Sequence, residues 1–502
     1  MERIGISGAY VATLKKIAAV VLAVVAGFIL LSLGSHFYVV FQKAGAQRQL
    51  QESYARDNFT PEEIRQDIAY FRFLLEHVHP REISSFPLGR AQPALTELAE
   101  TLDQPITSLA FYQEIAPVGN LLNDEHTMVF PAEPDLLGVY EPGVRLFPLD
   151  VKFIDHKLYV ARNLSGESSI QPGMEIISIN ELPAQELRTT MMTYYSGAGD
   201  AQKEFYAEKK FREALTLIFG FGDSFDLVVD DPVLDETNSY VIAGKKVSRP
   251  GLETFRYKVI APDTILLTYN AFEDENDEFT NFLQEMFATA QQQNIQHLII
   301  DIRGNQGGAS TYGDDILAYL IAEPFTQFSH VDVTISEEVK RDFIGHVPAF
   351  IRWFPIQYFH PILKPLWMGE SRETATITFD PVAPGDNSLR FAGDVTLLIG
   401  PGTMSSASLF AATMRKYNIA TLIGEEAGGS ATPYGNIIDA YLPNTGLKVW
   451  MPTSVIYGNS TGPIVPDHVV TQTVADLSEQ RDSVLEFSQE LARSIHADQL
   501  GQ

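Results

Sequence analysis

Three times between residues 264 and 424 an apolar run of strand character gives way to an amphipathic run of helical period, and a fourth apolar run closes the series. Thr264–Asn270 precedes Glu278–Gln293, His297–Ile302 precedes Tyr312–Ile321, and Val395–Gly400 precedes Ala407–Tyr417, with Ala420–Gly424 last. No dinucleotide fingerprint follows any of these strands, so the pattern predicts repeated ββα units packed in layers.

Two strand ends carry polar, glycine-rich sequence. Ile302 opens into Arg303-Gly-Asn-Gln-Gly-Gly-Ala-Ser310, where Gly307 and Gly308 let backbone approach a ligand closely. Ile399 opens into Gly400-Pro-Gly402, then Thr403-Met-Ser-Ser-Ala-Ser408, and the helical run starts at once. A serine at such a junction sits where helix N–H groups are unpaired and can stabilise an oxyanion. The plainer reading is that Ser405, Ser406 and Ser408 cap the helix.

Charge and composition narrow the alternatives. Formal net charge is −28 from 36 basic and 64 acidic residues, dispersed along the chain, which argues against a nucleic-acid partner. There is no cysteine, which removes disulfides, a thiolate nucleophile and Cys-ligated metal. The histidines show no metal spacing and no phosphate-binding loop is present, so neither metal nor cofactor is expected. Asp301 with Glu425 or Glu426 could form a glycosidase acid–base pair, but Asp301 reads better as the carboxylate that pins the Arg303 loop.

Residues 17–41 are almost continuously apolar. Their 25 residues, at about 1.5 Å each, exceed the roughly 30 Å of a bilayer core. Lys15 and Lys16 precede them, which predicts a cytoplasmic tail at 1–16, a single anchor at 17–41 and an extracytoplasmic remainder at the inner or plasma membrane. A cleaved signal peptide, with Ala44-Gly-Ala46 as its cleavage site, and a buried soluble helix are the rivals. Beyond the anchor, Thr60-Pro-Glu-Glu63 starts a helix, and helical stretches follow at 91–103 and 107–122. Leu146–Phe153 and Lys157–Ala161 read as strands, Ala201–Phe219 as helical, and a boundary falls near 245. The aromatic, proline-rich stretch Pro348–Met368 could cover a site, touch a bilayer or pack as an ordinary loop.

A strand ending in D-x-R-x-N-x-G-G, then T-x-S-S-A and I-G-E-x-x-G-G, resembles the C-terminal-processing (tail-specific) protease family of serine peptidases. Asn123-Asp-Glu-His-Thr127 upstream, and Pro466-Asp467 with a trailing Asp482-x-x-Leu485, extend the resemblance in the same order. It implies an α+β fold: a helical cap at 58–123, a PDZ-like domain at 142–245 and a crotonase-like core at 252–490. Pro172-Gly173 before an alternating strand ending at Asn180 fits the PDZ-like part. The family match puts the nucleophile at Ser405, with Ser406 the alternative by one register. Ser406 then supplies one oxyanion-hole N–H and Gly307 or Gly308 the other. The serine–lysine branch would carry its lysine at Ser430, and no lysine lies between Lys416 and Lys448. The branch similar to the tricorn core uses a histidine, here His126, which could otherwise be merely structural. Its imidazole-orienting glutamate is absent, and Asn459 or Ser460 stands in that place. The resemblance thus implies a membrane-anchored, exported endopeptidase acting on polypeptide through an acyl-enzyme, of unstated oligomeric form. The alternative is a non-catalytic peptide- or lipophile-binding protein on the same scaffold.

Overall fold

The computed structural model describes residues 47–80, 88–197, 199–232, 234, 236–247, 253–274, 276–346, 358, 360–361 and 363–500. The tail and anchor expected at 1–41 lie outside these residues, as does most of the aromatic stretch 348–368. Among the described residues, no helix is long and apolar enough to cross a membrane.

The alternating segment folds into one six-stranded sheet. Its order is His468–Val469, Thr421–Gly424, Asp394–Ile399, His297–Asp301, Thr264–Tyr269 and Phe255–Ala261. Only the last pairing is antiparallel. Leu298, Ile300, Leu397 and Ile399 on one face are buried with Phe410 and Met414 of the helix Ser406–Lys416 and with Phe287 of the helix Phe279–Gln292. Ile299, Leu398 and Ile423 on the other face meet Val484 of the C-terminal helix. Both faces are covered, which is why these strands read as unbroken apolar runs.

Neighbouring strands 297–301 and 394–399 run parallel and in register, so the loops after both emerge side by side. In open α/β sheets this carboxyl edge is where ligand-binding loops collect. A half-buried ion cluster anchors the edge from behind. Arg303 binds Asp301 through Nε (3.0 Å) and Nη2 (2.7 Å), and reaches Asp482 through Nη1 (2.8 Å) and Nη2 (2.7 Å). Asp301 therefore pins the Arg303 loop, the role expected of it.

A second, wholly antiparallel sheet contains Met128–Phe130, Lys448–Gly458, Phe328–Thr334 and Thr374–Thr378, with Tyr434–Tyr441 also paired to 448–458. The helices Pro61–His77, Leu88–Thr101 and Ser108–Asn120 do not form a separate body beside it. Phe71, Leu74, Phe111 and Ile115 share one core with Val333, Ala375, Val449 and Met451. Thr60 and Glu63 close a capping box at the first of these helices, worth about 1 kcal/mol. Buried Asp67 accepts from the amides of Asn444 and Thr445, locking the helix to the 441–448 turn.

The third sheet is antiparallel, in the order Leu149–Ile154, Lys157–Asn163, Glu175–Ile179, Ser224–Asp231 and Glu236–Ala243, with a short strand at 182–183. Between its strands the chain inserts the helices Ala184–Tyr194, Asp200–Lys209 and Phe211–Leu217, so the helical stretch expected at 201–219 is two helices. Phe147, Phe211, Phe225 and Leu187 build its own core.

Candidate active site

Thr403 sets the loop that follows Ile399. Its Oγ1 donates to Ile302 O (2.9 Å) and accepts from Gly400 N (3.1 Å), closing the turn onto the neighbouring strand end. Met404 N then bonds Asn305 O at 3.0 Å, tying this loop to the glycine loop. The constraint falls on the next residue. Ser405 takes φ 51° and ψ −126°, a conformation that L-residues avoid and that costs about 1–3 kcal/mol.

Ser405 stands at the N-cap position of the helix Ser406–Lys416 yet makes no capping hydrogen bond. Ser406 Oγ donates to Gly308 O (2.9 Å) and Ser408 Oγ to Thr403 O (3.1 Å). None of the three serines caps the helix in the ordinary way. Ser405 is the half-buried one, held by strain at the start of a helix, as in a nucleophile elbow.

The glycine loop meets it edge on. Asn305 is fully buried; its Oδ1 accepts Gly307 N (2.8 Å) and its Nδ2 donates to Tyr269 O (3.0 Å). A β-carbon on Gly307, whose φ is +97°, would come 2.8 Å from Ser405 Cβ, so only glycine fits against that side chain. One on Gly308 would come 2.2 Å from Phe272 O. Gly307 N–H is committed to Asn305, whereas no backbone acceptor is found for the amides of Gly308 and Ser406 among the described residues.

His126 reaches this place through the second sheet. Met128 pairs with Trp450 and Phe130 with Lys448, which brings the 123–127 loop over the core. Asp124 shapes the loop by accepting His126 N (2.6 Å) and Thr127 N, while its Oδ2 meets His79 Nε2 at 3.1 Å. Burial alone would raise the Asp124 carboxyl; the His79 ring and the Thr127 and His126 donors outweigh burial and hold it below the usual range.

His126 is 6% exposed, and burial pushes its imidazole down to about 4. It therefore stays neutral through the physiological range. Its Nδ1 is sealed without a hydrogen-bond partner among the described residues.

His126, Ser405, Ser406, Gly307 and Gly308 all line one cavity of about 990 Å³. Its walls are largely apolar, with Met128, Phe130, Leu409, Trp450 and Ile456 among them.

Asn459 and Ser460, expected behind the imidazole, are elsewhere. Asn459 Nδ2 donates to Thr413 Oγ1 (2.9 Å) and Thr326 O, and its Oδ1 accepts Lys416 Nζ (2.8 Å). Thr413 and Lys416 lie about 12 and 16 Å along the helix from Ser405. Ser460 O accepts from Thr432 at 3.4 Å. The strand 448–458 delivers Asn459 to the far end of that helix, so it does not orient His126, and among the described residues neither Asn459 nor Ser460 bonds the ring's Nδ1.

Sequence reasoning placed a helix here but missed the part that the helix Asp200–Lys209 plays at the site. It touches all three loops: Lys203 Nζ binds Asn123 Oδ1 (3.1 Å), Gln202 Nε2 meets Met404 Sδ (3.1 Å), and Lys209 Nζ binds Gln306 Oε1 (2.7 Å). Phe205 fills the space a side chain at Gly402 would need. Nothing in the sequence sets these polar residues apart from an ordinary solvated helix face.

Residues 263–464 match the Peptidase family S41. No curated protein matches the sequence significantly. Among solved structures, mature CPAF complexed with lactacystin is 16% identical, covering 87% of this chain and 98% of its own, with a TM-score of 0.62. Mature CPAF is 16% identical over 86% of this chain and 96% of its own, also with a TM-score of 0.62. The photosystem II D1 C-terminal processing protease is 15% identical over 81% and 92%, with a TM-score of 0.41. The first two show that the fold is shared over nearly the whole of their length.

Proposed function

On the premise that residues 263–464 belong to peptidase family S41 and that the chain is a serine peptidase, we propose a membrane-anchored, exported endopeptidase with Ser405 as nucleophile and His126 as base. Ser405 Oγ attacks the scissile carbonyl while neutral His126 takes its proton. The N–H groups of Ser406 and Gly308 receive the oxyanion, and Gly307 contributes by letting the backbone close on Ser405. The imidazolium then protonates the leaving amine, and water activated by the same ring releases the acyl-enzyme.

One observation carries the reading. Ser405 is held in a strained conformation with its hydroxyl making no capping bond and no hydrogen bond among the described residues, in the same cavity as a histidine kept neutral by burial. Strain of this kind persists only where surrounding structure enforces it, and functional sites are where it collects. The apolar lining suits large hydrophobic side chains of an unfolded polypeptide. The domain at 142–245 is read as PDZ-like, holding an extended peptide or gating the site, and the core at 252–490 as crotonase-like.

The unpartnered Nδ1 of His126 is what favours the rival reading, a scaffold that binds peptide without cleaving it. Hydrolysis of an unfolded polypeptide by the purified protein separates the two. Ser405→Ala should lower the rate at least about a thousandfold, because such groups act as a unit. Full activity in Ser405→Ala with loss in Ser406→Ala would move the nucleophile by one residue. No activity in the wild type would favour the binding protein.

A further inference from the structure

A carboxyl beside the nucleophile has no part in the reaction just described. Glu125 precedes His126, is 7% exposed and lines the same cavity. Its carboxyl faces the backbone amides of Ser430 and Ser405, and Oε2 is sealed without a hydrogen-bond partner. Gly429 walls it on another side: a β-carbon there would come 2.8 Å from Glu125 Oε2, 2.9 Å from Met404 Cα and 2.4 Å from Ser408 Oγ. The carboxyl is thus wedged between the loop that carries the nucleophile and the 428–430 loop. Ser430, which it faces, is the position where a serine–lysine site would hold its base.

The ionisable groups around it are few. Asp124 on its own loop is engaged by His79, and His126 adjoins it. Tyr206 reaches it from the helix Asp200–Lys209, and the tyrosine's hydroxyl is raised by burial and by this neighbour. Lys209, Lys210, Glu213 and Glu273 line the cavity, and among the described residues no cation is hydrogen-bonded to Glu125. Burial, against the two amides, pushes its carboxyl up to about 8, so the group is protonated near neutrality.

We propose that Glu125 is a positioning residue: its neutral carboxyl bridges the nucleophile loop and the 428–430 loop, and loss of its proton disables the oxyanion site. This rests on the peptidase reading above. An uncharged carboxyl, wedged between Gly429 and the nucleophile loop and facing the two amides, braces the strained backbone at Ser405 without placing charge there. Once ionised, it sets a negative charge one peptide unit from the amide of Ser406, in a site shielded from water, where an oxyanion must form. The site then fails with the backbone still in place.

The test is the rate at which a fluorophosphonate labels Ser405 in the intact protein between pH 6 and 10, with hydrolysis measured in parallel. Wild type should lose rate about tenfold per pH unit above an apparent pKa near 8. Glu125→Gln keeps an acceptor for the amides without an ionisable proton. It should label within about threefold of wild type at pH 7 and show no such limb below pH 10. Glu125→Ala should lower the rate constant more than tenfold without weakening binding of a peptide substrate.

An alkaline limb unchanged in Glu125→Gln would overturn the proposal. So would a Glu125→Ala protein that, by circular dichroism, is folded and labels like wild type. If Glu125→Ala does not fold, the Glu125→Gln profile alone decides. A wild type that labels nowhere would overturn the peptidase reading itself, and this proposal with it.

Discussion

Replacing His126 by glutamine should change how stability depends on pH, by an amount the structure sets. The imidazole is sealed in the 123–127 loop, and burial moves it from 6.5 to about 4. In the unfolded chain the ring binds a proton as pH falls through about 6.5; in the folded chain it resists until about 4. Between those values the unfolded state holds more protons, so stability falls as pH falls. The contribution is fully present above pH 6.5 and lost by pH 4. A difference of about 2.5 units at 1.36 kcal/mol each amounts to about 3 kcal/mol.

Glutamine fills similar space and carries no ionisable proton. The stability difference between pH 7 and pH 4 should then be smaller in His126→Gln than in wild type by about 3 kcal/mol. Other carboxylates, Asp124 and Asp482 among them, also lose partners on acidification, so only the difference between the two proteins is diagnostic. Urea unfolding at pH 7, 5.5 and 4, followed by far-UV circular dichroism, measures it. The chain has several cores, so the comparison uses midpoints of the same transition in both proteins. Identical pH dependence would mean that His126 titrates normally in the folded state. It would then not be the sealed neutral base described above, and the acid limb of activity would fall near 6.5 instead of near 4.

Gly307→Ala should lower kcat more than tenfold and lower Tm as well, since its φ of +97° disfavours a side chain and the new β-carbon strikes Ser405 Cβ and Met404 O; steady-state kinetics beside a thermal melt checks this. Asp482→Asn removes one of the two carboxylates that hold Arg303 and should cost about 1–3 kcal/mol in chemical denaturation, with kcat falling less than stability suggests. Proteinase added outside intact cells or spheroplasts should degrade the catalytic domain and spare the first dozen residues. A mature N-terminus at Gln47 would instead establish a cleaved signal peptide.

The parallel sheet was legible because its strands are buried on both faces and therefore unbroken in hydrophobicity. His297–Asp301 and Asp394–Ile399 lie within a residue of where the sequence puts them. The nucleophile loop was legible for a related reason, since a strand end, a glycine turn and a helix start leave one arrangement for the residue between them. The antiparallel sheet was not read from the sequence. Met128–Phe130 is three residues long, too short to register as a strand, and it is the pairing that carries His126 to the core. The groups behind the imidazole were misplaced because sequence order says nothing about which end of a helix a returning strand reaches. Asn459 arrives at Thr413 and Lys416, not at His126. Glu125 was visible in the motif, but its burial and its contact with Ser405 and Ser430 arise only when three distant loops meet.

The central claim is that a strained, uncapped serine at the start of the helix Ser406–Lys416 is a working nucleophile. Reaction of the purified protein with a fluorophosphonate, followed by peptide mapping in a mass spectrometer, tests it most directly. A single adduct on Ser405 is expected, absent from Ser405→Ala and strongly slowed in His126→Gln. An adduct on Ser406, or none on any serine of the folded protein, would contradict it.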